Sequence, residues 1–174
     1  MPHNQPMEPT LFPRGSLATL YGQMTSSPFQ SIPKRDLARS QLNVALRLYL
    51  QSEEYPSCIT LAGAAEEVLG KIAADAGHKP ALKKALKELL ELHRHLWGTE
   101  AKESDYAELR NHARNEMKHK CSGTDVSLDF EQQAAQMLAR ALENYLLCFG
   151  APHPDQHRFT TKRVANWRAK QPAV

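Results

Sequence analysis

Between residues 36 and 149 apolar side chains recur every three or four positions, and no stretch alternates as a half-buried strand does. That spacing predicts an all-α chain with about five main helices. The first starts near Asp36, a favourable N-cap residue after Pro33, and runs to about Gln51. Ala38, Leu42, Ala45, Leu46 and Tyr49 line one of its faces, while Leu37, Val44 and Leu48 line a second face almost opposite. A surface helix needs only one apolar stripe, so two stripes put this helix at the centre of a bundle or in an interface.

The second helix opens with Pro56 in its first turn, ends before Gly77 and buries Cys58, Leu61, Ala65, Val68, Leu69 and Ile72. Its LAGAAEE run is rich in small residues. Gly63, Ala64 and Gly70 are expected to let a neighbouring backbone approach, at a propensity cost of about 1 kcal/mol per glycine. The third helix follows Pro80 with Leu82, Leu86, Leu89, His93 and Trp97 in one stripe. The fourth runs from about Lys102 to His119 and is expected to bury Tyr106, Leu109, Ala113 and Met117. The fifth, with Asp125 or Ser127 as its expected cap, buries Phe130, Ala134, Met137, Ala141 and Tyr145. Leu138, Leu142, Leu146 and Phe149 widen its apolar arc to about half the circumference. One small bundle rarely covers both this arc and the double face of the first helix, so a symmetric homodimer is expected to do so.

Composition alters this picture mainly at the ends. Six of the eleven prolines fall within residues 1–35, among Ser, Gln and Asn, which reads as a proline-rich arm that is disordered or loosely docked. The helical domain spans 36–150. Beyond it, residues 151–174 read as a basic tail: Arg158, Lys162, Arg163, Arg168 and Lys170 stand against the single acid Asp155. Phe159 and Trp167 lie among these bases. Cations that neutralise phosphates beside an aromatic that stacks on a base describe a nucleic-acid contact, and a solubilising tail is the plain alternative. No apolar run reaches the length of a membrane span, and no secretory leader is visible at the N-terminus. The three cysteines, Cys58, Cys121 and Cys148, are odd in number and lack zinc-ligand spacing. A reduced, cytoplasmic chain without cofactor is expected. The net charge of +3 excludes little by itself.

The chemistry concentrates in RNEMKH, Arg114 to His119, at the end of the fourth helix. Arg114 and His119 are five positions apart, about 140° around a regular helix and about 7.5 Å along it. They flank a groove rather than converge on one small ligand, and a two-fold partner would bring a second pair to the same cleft. An arginine, a polar residue directly after it and a histidine further on resemble the signature of HEPN (higher eukaryotes and prokaryotes nucleotide-binding) domains. The second helix's TLAGAAEEVLG and the combination RNEMKH…LDFEQQAAQMLARALENY are also similar to bacterial HEPN-like proteins in which an Asn-x-x-Lys-His element recurs. The likeness covers about residues 37–147. It implies a helical homodimer that recognises RNA or nucleotide phosphate, with metal-independent endoribonuclease chemistry of toxin–antitoxin or defence type. An antitoxin or nucleotidyltransferase is the implied protein partner. By the same resemblance Arg114 is the phosphate clamp, Asn115 its polar helper and His119 the proton-transfer residue, its imidazole titrating near neutrality. The alternative is a non-catalytic dimeric interaction module.

Around this motif, Lys118, Glu66, Arg140 and Asn144 are candidate ligand-binding residues. Glu66 flanks the buried face of the second helix, whereas Glu67 points further out and reads as a surface acid. Asn144 lies at the edge of the core stripe, where its amide needs partners, so a structural hydrogen bond competes with ligand contact. Arg140, one turn earlier, reaches a phosphate or pairs with an acid. No metal site is expected: His93 and His95 point apart, and His112 and His119 lie about 10.5 Å apart along the helix. Cys121 follows His119 without a neighbour that would activate a thiolate. No phosphate-cradling glycine loop is present.

Overall fold

A computed structural model of the chain describes residues 31–118 and 125–171. Among these residues there are six helices and no strand. Helix α1, Lys34–Arg47, continues into a π-helical turn, Leu48–Ser52, that ends at Glu53 with φ 55°. Then come α2 (Tyr55–Asp75), α3 (Ala81–Trp97), α4 (Glu103–Lys118), α5 (Phe130–Phe149) and α6 (Gln156–Ala169). The prolines sit where their missing N–H does no harm: Pro33 and Pro80 just before α1 and α3, Pro56 in the first turn of α2. Gly98 and Gly150 adopt positive φ (66° and 71°) as the C-caps of α3 and α5. The cap of α5 is neither Asp125 nor Ser127. Asp129 takes that place, its Oδ1 accepting the Gln132 N–H at 3.0 Å, four residues after Asp125 and two after Ser127.

Helix α2 is central and packs mainly on α5 and α1. Leu42 and Leu46 of α1 and Tyr49 of the π-helical turn meet Ile59, Ala62 and Leu69 of α2 and Ala134, Leu138 and Ala141 of α5 in one fully buried cluster. The first apolar stripe of α1 is thus core, as its spacing predicts. Leu37 of its second stripe is exposed, and Val44 and Leu48 are half-buried.

Two expectations change. The stretch read as a basic tail contains α6, anchored by Phe159, which is buried with its ring edge-on to Tyr49 at 5.4 Å. Lys162 Nζ donates to the carbonyls of Tyr49 (3.0 Å) and Leu50 (3.4 Å) at the end of the first helix, where carbonyls lack intrahelical donors. Helix α6 therefore covers part of the α5 arc around Leu142 that the apolar pattern assigned to a second copy. Conversely, α3 buries less than its stripe implies. Only Ala81 and Leu86 are buried, while Leu92, Leu96 and Trp97, with Leu109 of α4, are between half and two-thirds exposed. The C-terminal half of α3 packs on α4 instead, through His93 Nδ1 and the Tyr106 hydroxyl at 2.8 Å. No helix among the described residues is long and apolar enough to cross a membrane.

Candidate functional site

Gly63, Glu66 and Gly70 are spaced three and four apart on α2, so they share one face. The small residues do not admit a neighbouring backbone, as expected from sequence; they admit polar side chains. An added Cβ at Gly63 would lie 2.8 Å from Arg114 Cδ and 3.3 Å from Cγ, so the stem of Arg114 lies in the space the glycine leaves. At Gly70 the same atom would meet Asn144 Nδ2 at 3.1 Å. These contacts draw the polar residues of α4 and α5 onto α2.

Arg114 is turned inward more than the polar arc of α4 suggested, with 17% of its side chain exposed. Its Nη1 lies 3.4 Å from Glu67 Oε2, a half-exposed carboxylate that also holds Lys71 at 2.8 Å. The buried Arg114 Nε–H has no acceptor among the described residues. Arg140 is buried and faces the buried Glu66 across 3.8 Å, an ion pair without a hydrogen bond at Nε. Its remaining donors reach α4, with Nη1 to the Arg110 carbonyl at 3.1 Å and Nη2 to Asn111 Oδ1 at 3.5 Å, and Nη2 also meets Met137 Sδ on its own helix at 3.0 Å. Burial pushes the Glu66 carboxyl above its ordinary range, against the opposing pull of Arg140 and Arg114. Burial also lowers Arg140, partly countered by Glu66. Desolvation thus outweighs attraction on both partners, yet a guanidinium with so high an ordinary pKa stays charged at neutral pH. The cluster holds the arginines Arg110, Arg114 and Arg140 against the carboxylates Glu66 and Glu67.

Asn144 serves structure. It is fully buried, its Oδ1 accepts the Ala81 N–H at the start of α3 (2.8 Å), and its Nδ2 donates to the Glu66 carbonyl (3.1 Å). Its amide is enclosed and leaves no face for a ligand. Asn115 is half-buried on α4, and Lys118 is that helix's last residue. His119 and Cys121 lie outside the described residues, so the geometry of the arginine–histidine pair is not among these distances.

The α6 bases divide into two groups. Arg158 pairs with Asp155 at 2.8 Å, and Lys162 with Glu53 at 3.1 Å as well as the two carbonyls. Arg163 and Trp167 instead line a cavity of about 280 Å³ against Gln132 and Gln136 of α5, and Arg168 is exposed. Among the described residues no group of three metal-ligating side chains forms. His93 is hydrogen-bonded to Tyr106 and to Thr99 (3.1 Å). Cys58 is a buried core thiol whose pKa burial raises to about 12, and Cys148 Sγ donates to the Leu69 carbonyl at 3.3 Å.

Sequence reasoning missed Arg110 and Gln136, which meet at 3.2 Å (Nη1 to Oε1) and join α4 to α5 beside this cluster. Arg110 stands one turn before Arg114 on the same side of α4, a spacing that signals it in retrospect. Comparison with family models, curated proteins and solved structures finds no match for this chain.

Proposed function

We propose that this chain is a HEPN-like domain that recognises the phosphates of RNA and cleaves the strand without metal, in the manner of toxin–antitoxin or defence ribonucleases. The observation that carries the reading is the state of Arg114. Its stem is held on Gly63 and its guanidinium is sheltered from bulk water. Among the described residues its guanidinium makes a 3.4 Å contact with the shared Glu67 carboxylate and acts on the buried Glu66, while its Nε–H has no acceptor. A planar cation so held is pre-positioned to accept a phosphate in exchange for Glu67. In this reading Asn115 and Lys118 support the anion and His119 moves the proton as the 2′-hydroxyl attacks. The reading carries with it a homodimer and a protein partner of antitoxin or nucleotidyltransferase kind.

The test is incubation of the purified chain with RNA in EDTA, beside Arg114→Ala and His119→Ala. Cleavage by the wild type that both substitutions abolish supports the nuclease. Binding without cleavage leaves phosphate recognition alone, and neither result leaves the second reading, a non-catalytic interaction module. That second reading has its own support in the exposed apolar group Leu92, Leu96, Trp97 and Leu109.

A further inference from the structure

We infer that the groove between α5 and α6 seats one nucleotide of a single RNA strand, the base stacked on Trp167 and the phosphodiester on Arg163. The inference rests on the RNA reading above and narrows its substrate to unpaired strands.

Arg163 and Trp167 are one turn apart on α6 and line the same cavity of about 280 Å³. Trp167 is 62% exposed, an indole that stands beside the cavity rather than in the core. Across from it, Gln132 and Gln136 of α5 present amides, the groups that donate to and accept from a base edge. Exposed indole and amides together suit a base that is not already paired and stacked in a duplex.

The charges set the ligand's size. Asp129 and Glu131 also line the cavity, but Lys170 holds both, at 3.0 and 2.7 Å, and Asn166 donates to Glu131 at 2.9 Å. Arg163 has no carboxylate partner among the described residues, unlike Arg158, Lys162 and Lys170 on the same segment. The lining is therefore neutral overall, two cations against two carboxylates, and Arg163 is the cation of this lining without an ion pair among the described residues. It can meet the single charge of one phosphodiester, whereas a free polyphosphate would crowd two carboxylates.

The groove also leads toward the candidate site. Gln136 lines this cavity and a second one with Tyr106, Leu109 and Arg110, and its Oε1 accepts from Arg110. From Arg110 the next turn of α4 is Arg114. A strand seated on Trp167 thus has amides and arginines ahead of it along one side of α5.

The experiment uses the full chain carrying Trp97→Phe, which leaves Trp167 as the only indole of the two in the sequence. Its fluorescence is titrated with a single-stranded RNA of about 12 nucleotides, with the same RNA as a duplex, and with adenosine monophosphate. The single strand is expected to quench Trp167, with both other ligands far weaker. By anisotropy of the labelled strand, Trp167→Ala and Arg163→Gln should each raise Kd about tenfold or more. Both positions are exposed, and circular dichroism checks that each variant folds. RNA that binds while Trp167 stays silent and both variants keep wild-type affinity overturns the groove but leaves the Arg114 reading intact. Equal quenching by the monophosphate overturns the strand in favour of a mononucleotide site. No RNA binding at all, by either readout, overturns both readings together.

Discussion

At Gly63 a single missing methyl group decides where Arg114 lies. Gly63→Ala places a Cβ 2.8 Å from Arg114 Cδ and 3.3 Å from Cγ, in the middle of that side chain rather than at its far end, so the stem must shift, at an overpacking cost of about 1–3 kcal/mol. The alanine recovers about 1 kcal/mol of helix propensity, so the net loss of stability should be about 2 kcal/mol or less. RNA affinity should nevertheless fall, because the guanidinium loses its seat. Thermal melts and anisotropy on the same preparation check this, and unchanged affinity would remove Gly63 from the site. Asn144 tests the opposite case. Asn144→Ala strands the Ala81 N–H, removes the second hydrogen bond to the Glu66 carbonyl and opens a small void, a loss of roughly 2–4 kcal/mol readable as a lower urea midpoint. Asn144 and Arg140 show what a sequence conceals at this scale. Both lie on the core stripe of α5, but whether such a residue meets a ligand or a backbone depends on long-range partners, here Ala81 and Arg110, that no local spacing announces.

Elements are joined here by a few titratable contacts, and those contacts have a pH signature. His153, in the turn before α6, has its Nε2 at 2.7 Å from Asn43 Oδ1 on α1, and its Nδ1 accepts the Asp155 N–H at 3.1 Å. Only the neutral ring protonated at Nε2 meets both partners, and burial lowers its pKa from the ordinary 6.5. With the folded pKa depressed, the contribution is complete above the unfolded value and is lost as pH falls below it. The urea midpoint of the wild type should therefore drop from pH 7 to pH 5, and His153→Gln should flatten that slope. Asp129 has the same sign at lower pH. The Gln132 N–H and then Lys170 hold its carboxyl below the ordinary 3.8. Asp129→Ala should cost about 1 kcal/mol at pH 7, and the difference should shrink once pH falls below that ordinary value. Helix boundaries along the chain were legible because periodicity, proline and glycine speak locally. The α6 docking was not legible, since its partners are distant in sequence: Phe159 and Lys162 meet Tyr49 and Leu50 more than a hundred residues away, and Asn166 meets Glu131.

For the whole molecule the open question is what meets the apolar side of the α3–α4 pair. Periodicity correctly marked α3 as strongly amphipathic, but it cannot say whether a stripe faces its own bundle or another surface. Here the stripe is covered from Leu82 to His93 and Trp97 at its end is exposed, as are Leu92 and Leu96 off the stripe and Leu109 on α4. Four large side chains at this exposure approach the largest patches of ordinary monomers, roughly 300–600 Å². Doubled across a two-fold axis and rimmed by the flanking polar residues, they approach the ~1,200 Å² at which specific interfaces begin. Since α6 already covers part of the α5 arc, a homodimer is better sought at α3–α4 than at α1 and α5. We expect self-association at tens of micromolar in sedimentation, and Trp97→Glu should weaken it about thirtyfold or more, as loss of a central aromatic anchor does. Because Trp97 already stands in solvent, the monomer's unfolding midpoint should hardly move. A wild type that sediments as a monomer would exclude the dimer, and with it any cleft shared between two copies of Arg114. A dimer insensitive to Trp97→Glu would move the interface elsewhere and leave that shared cleft to be sought on another face.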